Sequence, residues 1–227
     1  MKRLLTMGFY LKRWLTIPYD EHPAIGRFEG EYFDPQKWKP RVPTGAFLRA
    51  RADDDFWAAR RVVAFSDEMI RAVAATGLYS DEAASRLLAD VLIQRRDRIA
   101  NVYLNAVNPV VNPALDERGT LTFDNAAVAA GVNSEPASGY IDHWATFDNA
   151  TGETRPIGGP TATTTKSTAA PAPLPSAAGA FVRVQISSAT KDHPSWAVPV
   201  EAYFRRTASG WQLVGIERLP ATTAKTN

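Results

Sequence analysis

The side chains best suited to chemistry are few in this sequence and poorly grouped. The three histidines, His22, His143 and His193, lie in different segments. None has a second histidine or a carboxylate at the spacing that places two ligands on one helix face. Asp142-His143 and Asp192-His193 are adjacent pairs, but neighbours along a strand point to opposite faces. There is no cysteine, which excludes disulfides, thiolate nucleophiles and zinc–thiolate sites. A Gly-x-Gly-x-x-Gly turn, a Walker-type phosphate loop and a Gly-x-Ser-x-Gly elbow are all missing. The residues therefore point to no catalytic group, no metal-ligand set and no cofactor.

One anomaly stands out. Leu88, Leu92, Ile99, Val102 and Ala106 recur at helical spacing, and Arg95 falls on the same stripe, with Arg96 and Arg98 beside it. An arginine on a buried face needs an anionic partner or a route to water along its stem. The bland expectation is a structural bridge to an acidic helix start, Asp53–Asp55 or Asp67. The sharper one is a binding site formed by Arg95, Arg96 and Trp57, for an anion or for a carboxylate on a partner. A second feature is the repeated pentapeptide Thr122–Ala126 and Thr146–Ala150, both Thr-Phe-Asp-Asn-Ala. Asp-Asn after a strand is turn chemistry, and calcium would need more oxygen ligands than these pairs supply.

The elements that must carry these groups change along the chain. Residues 1–50 are rich in aromatics and prolines and hold 9 basic against 5 acidic residues. The prolines break any persistent period, so this part reads as an irregular arm pinned down by its rings. Its apolar stretch from Leu4 to Leu11 ends at Lys12-Arg13, with no signal-peptide cleavage site after it. Three helices follow in a unit spanning 51–112. Asp53-Asp54-Asp55, Ser66-Asp67-Glu68 and Ser80-Asp81-Glu82 mark their starts, with the serines as caps and the third helix running to about Ala106. From 113 to 220 the texture is β. Strands are expected at Thr120–Phe123, Tyr140–Phe147, Glu153–Ile157, Phe181–Ser187, Trp196–Arg205 and Trp211–Arg218, with a hairpin loop at Thr207–Gly210. Within this module, residues 158–176 are a Thr/Ala/Pro-rich run with Leu174 as its one large apolar residue. The expectation is a flexible loop, dispensable for folding. Residues 221–227 read as a disordered tail.

Composition narrows the class. The 227 residues are 45% hydrophobic and 22% charged, enough for a core and a solvated surface. The net charge of +2 is too small and too evenly spread to point to nucleic acid. No apolar run approaches the ~20 residues of a membrane span. The fold class expected is α+β: an arm, a three-helix unit, then a small antiparallel sheet or sandwich.

The stretches Phe56–Arg71, Gly77–Asp81, Leu92–Ile99, Gly8–Trp14 and Phe33–Pro40, with Phe147–Gly152 and the final hairpin, carry a resemblance. Together they resemble the carboxy-terminal part of large uncharacterised bacterial proteins of a soil-bacterial type. The resemblance brings no catalytic residue with it. It implies a short form, or a fragment of a longer and exported protein, whereas a complete chain would stay in the cytoplasm. The function expected is a non-catalytic structural or interaction module. An upstream domain or protein partner would dock on the aromatic arm, leaving apolar surface exposed there. The alternatives are an accessory part of an enzyme, or a glycan- or peptide-binding β module using Trp144, Trp196 or Trp211. Exposed coplanar tryptophans would favour that last reading and buried ones a scaffold.

Overall fold

Alternation sets the β half of the molecule. In β7 (Phe181–Ser187), Val182, Val184 and Ile186 all point one way and are buried, and the residues between them line the other face. The computed structural model describes residues 15–218. The stretch Leu4–Leu11, the aromatics Phe9, Tyr10 and Trp14, and the tail expected at 221–227 lie outside the described residues.

The fold is α+β, with two antiparallel sheets. The larger runs in the order β4 (Thr154–Pro156), β3 (Tyr140–Phe147), β7, β8 (Val200–Thr207), β9 (Gly210–Arg218), and β5 (Thr161–Thr163) also pairs with β3. The smaller joins β1 (Val110–Leu115), β2 (Thr120–Asn125) and β6 (Ser167–Ala169). Their facing sides share one core, in which Leu121 and Phe123 pack with Trp144, Val184, Val200 and Phe204. The β8–β9 hairpin closes as expected, with Gly210 at φ +115°, a conformation open to glycine and strained for other residues.

Several expected boundaries move, each for a physical reason. The β region begins at Val110, before the expected 113, although Pro113 lies inside the strand. A bulge between Val111 and Ala114, with Asn112 at φ +52°, absorbs the proline on an edge strand, where its missing donor does no harm. Trp196 sits in a 3-10 turn (Pro194–Ala197) ahead of β8, and is no part of that strand. Residues 158–176, expected to be a flexible loop, contain β5 and β6 and pack Leu174 against the core.

Five helices are described: α1 (Gly45–Arg49), α2 (Ala52–Val62), α3 (Asp67–Ala75), α4 (Glu82–Tyr103) and α5 (Ala126–Ala129). The acidic starts do cap. Asp54 accepts from the Arg51 backbone N–H, and Ser66 Oγ accepts from the Met69 N–H. At α4, however, Asp81 is the residue that accepts from a free amide, that of Ala83, where Ser80 was expected. Helix α4 ends at Tyr103, and its buried positions are Ala84, Ala89, Val91 and Ala100. Leu92 and Ala106, placed on the expected stripe, are exposed.

The helices do not form one unit over 51–112. The described residues divide into a first unit of 15–38 with 64–98, and a second of 39–63 with 99–218. In the second, Phe56 and Ala59 of α2 are buried with Leu104, Val111, Ala127 and Trp196, a larger apolar surface than α3 offers with Ile70 and Ala74. Two polar side chains organise this second unit. Asn108, buried, donates to the carbonyls of Ile186, Trp196 and Val198 and accepts from the Val110 N–H. Arg218 donates to the carbonyls of Asn108 and Val110 and lies 4.4 Å over the Phe56 ring.

Candidate functional site

Arg95 and Arg96 are neighbours on α4 in the first unit but have opposite surroundings. The Arg95 guanidinium lies 4.1 Å over the Phe28 ring and 4.8 Å over Phe33, and its Nε donates to the Glu29 carbonyl at 2.7 Å. Burial lowers its pKa, with the Glu29 charge opposing weakly. Burial works against Arg96 as well, but Asp97 and Asp67 outweigh it and raise its pKa. Its Nη2 lies 2.7 Å from both carboxylates, and its Nη1 donates to the Phe65 carbonyl. The bridge to an acidic helix start is thus made by Arg96 to Asp67, while Arg95 is held by the aromatic arm. Trp57 belongs to the second unit, is 60% exposed, and has the Arg61 guanidinium 5.6 Å from its ring centre.

The outward face of the larger sheet holds a polar group that sequence reasoning missed. Register places His143, Gln185, Glu201 and Glu217 in one row across four strands, with Arg183 and Tyr203 in the next. Glu201 is its centre: Gln185 and Tyr203 each donate to it at 2.6 Å, and Arg183 lies 3.7 Å away. The Tyr203 hydroxyl is pushed up to about 12, first by burial and then by the carboxylates of Glu201 and Glu217. Beside it, Phe147 packs edge-on against Tyr203 at 5.0 Å and Phe181 at 6.3 Å. These two phenylalanines line an open cleft of about 600 Å³ together with Asp148, Glu153 and Arg155. The signal available in sequence was the polar partner at every second position of β7 and β8. The row itself needs the register.

The Asp-Asn echoes use the same chemistry through different residues. In the first, Asn125 Oδ1 accepts from the Ala127 and Val128 amides and caps α5. In the second, Asp148 Oδ1 accepts from Ala150 and Thr151 and shapes the β3–β4 turn, which keeps its pKa low. Of the tryptophans considered for glycan contact, Trp144 and Trp196 are buried, and Trp211 is half-buried against the core.

Exposed apolar side chains occur at Met69, Val73 and Leu78 of the first unit, at Leu213, Val214 and Ile216 of β9, and along residues 39–51 of the second unit. Helix α1 buries none of its residues, yet carries Phe47 and Leu48, the latter 72% exposed. Val42, just before it, is 80% exposed. Single exposed apolar residues are ordinary, but an ordered segment that buries so little is not. Searches against protein-family models, curated proteins and solved structures find no match to this chain.

Proposed function

We propose that the chain is a non-catalytic interaction module of a larger bacterial assembly, docking a protein partner on residues 39–51, which take in the end of the arm expected at 1–50. The observation that carries this reading is α1, a helix with no buried residue and with apolar side chains turned to solvent. A helix of 5 residues gains too little from its own hydrogen bonds to persist alone, so a covering partner supplies what the fold leaves open. The cleft lined by Phe147 and Phe181 supports a second reading, a sheet that binds a peptide or glycan, since aromatic and charged side chains lining one cleft suit both.

One experiment separates them. Binding of a hydrophobic dye to the full chain is followed by fluorescence in wild type, in the Val42→Asp/Leu48→Asp double variant and in Phe181→Ala. The docking reading expects the signal to fall several-fold in the double variant and to persist in Phe181→Ala. The reverse pattern moves the binding surface to the sheet, and no dye binding by wild type removes the docking reading.

A further inference from the structure

Among the described residues, Asp142 is the charged side chain most fully withdrawn from solvent. It is fully buried, and neither carboxyl oxygen meets a hydrogen-bond partner of good geometry. It lies on the inward face of β3 between Tyr140 and Trp144, and faces Ile186 across one ladder and Thr161 across the other. The Thr161 hydroxyl and the Trp144 indole nitrogen are also buried without partners. A bare carboxylate costs far more to bury than a neutral acid.

Two polar neighbours of Asp142 lie on the segment 158–176: Thr161, paired beside it in the sheet, and Thr168, whose hydroxyl reaches toward its carboxyl. The segment's β5 pairs with β3 at Asp142↔Thr161 through Tyr140↔Thr163, and its β6 pairs with β2 at Leu121↔Thr168. The segment therefore straps the edge of one sheet to the edge of the other. Gly139 allows the close passage, since a Cβ there would lie 2.2 Å from the Thr163 carbonyl oxygen. The hydroxyls of Thr163 and Thr165 both donate to the Ser167 carbonyl and tie the strap's tip. Apart from Leu174, Ala170 and Ala172, the strap puts little apolar surface into the core, so its closure depends on short ladders and on what lies beneath.

The titratable groups around Asp142 leave its charge uncompensated. On its own strand the neighbour is Tyr140, whose hydroxyl accepts from Asn125 and donates to Glu135. β5 and β6 contribute only the threonines Thr161 and Thr168, while β7 presents Ile186 and β2 presents Leu121 and Phe123. The cation on the strap is Lys166, paired with Glu135 at 3.6 Å.

We propose that the strap at 158–176 is a pH-responsive cover, shut over Asp142 while that acid is protonated and loosened when it ionises. Burial pushes the Asp142 carboxyl up to about 7, with the Thr168 hydroxyl opposing less strongly. Once exposed by opening, the same carboxyl returns to about 3.9. The open form therefore releases its proton first. Closure is fully favoured below the exposed value, weakens as pH rises from there, and reaches its floor above the closed value. The cover is thus tight in mildly acidic surroundings and loose at neutral pH and above.

Hydrogen exchange on the full chain from about pH 5 to pH 8 tests this, each rate divided by the intrinsic rate at that pH. The expected result is that opening at the strap amides of Ala162, Thr168 and Ala170 rises by up to about tenfold per pH unit to near pH 7, then levels off. Asp142→Asn should hold the strap amides at a pH-independent level. A wild-type strap whose opening ignores pH overturns the proposal whether or not that variant folds. So does a pH dependence that survives in Asp142→Asn. Equal loosening at Val184 and Ala202 overturns it too, because the whole sandwich would then be opening. Protection restored at pH 8 by sodium or potassium chloride, but not by choline chloride, would replace the proton with a bound cation.

Discussion

The two units hold themselves together by different means. The second packs two apolar clusters, one between the sheets around Trp144, Val184 and Phe204, the other under α2 around Phe56, Leu104 and Trp196. The first, among the described residues, has one small cluster of Ile70, Ala74 and Ala89, helped by Leu88 and Ile93, with Ala84 and Val91 buried outside it. In place of volume it has polar fastenings: His22 to Asp81 at 2.9 Å, Arg71 to Asp90 at 2.8 Å, Arg96 to Asp67, and Arg95 over Phe28. Exposed ion pairs are each worth ~0–1 kcal/mol, and cation–π contacts ~0.5–1 kcal/mol at exposed sites, against ~1.5–3 kcal/mol for one buried large apolar side chain. The lesson is that the first unit is specified in geometry but thin in free energy. It should open at lower denaturant than the second.

The largest effect expected is at the sandwich core. Phe204→Ala should cost ~3–5 kcal/mol in urea unfolding, because Phe204 is fully buried among close-packed strands. Ile70→Ala in the first unit should cost about 2 kcal/mol, the low end for its class, since its surroundings can collapse. Equal costs would erase the contrast.

Next comes the strap. Replacing residues 158–176 with a short Gly/Ser bridge should lower stability by about 2–3 kcal/mol at pH 5. It removes two ladders and the packing of Leu174. A thermal midpoint unchanged by the replacement would return the segment to a dispensable loop.

The smallest comparison is the sharpest, because it sets like against like. Arg218 and Arg95 both lie over phenylalanine rings and donate to backbone carbonyls. Burial pushes Arg218 down to about 10 and lowers Arg95 as well, but Arg218 donates to the carbonyls of Asn108 and Val110 and Arg95 to that of Glu29. Arg218→Met should therefore cost ~2–3 kcal/mol and Arg95→Met ~1–2 kcal/mol by chemical denaturation. A loss of ~4 kcal/mol or more at Arg95 would mean that it holds a buried carboxylate after all.

Local chemistry by itself determined much of this protein. Acid-rich starts placed α2, α3 and α4, because a short side chain beside free amides needs no distant partner. Strict alternation placed β7 to the residue, and the β-like run Tyr140–Phe147 became β3 with the same bounds. The pairing of a cation with Asp67 was legible as well, although the helix turned Arg96 and not Arg95 toward it, a difference of one residue or about 100°. Tertiary structure alone decided the rest. Which core α2 joins depends on apolar area offered by residues more than forty positions away, Leu104, Val111 and Trp196. The Glu201 row exists only once four strands are in register. A Thr/Ala/Pro run with little to bury reads as loop in isolation, because its order comes from the ladders that two sheet edges lend it. Asp142 carries no sign of its burial in its neighbours. Strand alternation says which way it points, and only the packing of strap and sheets takes it out of solvent.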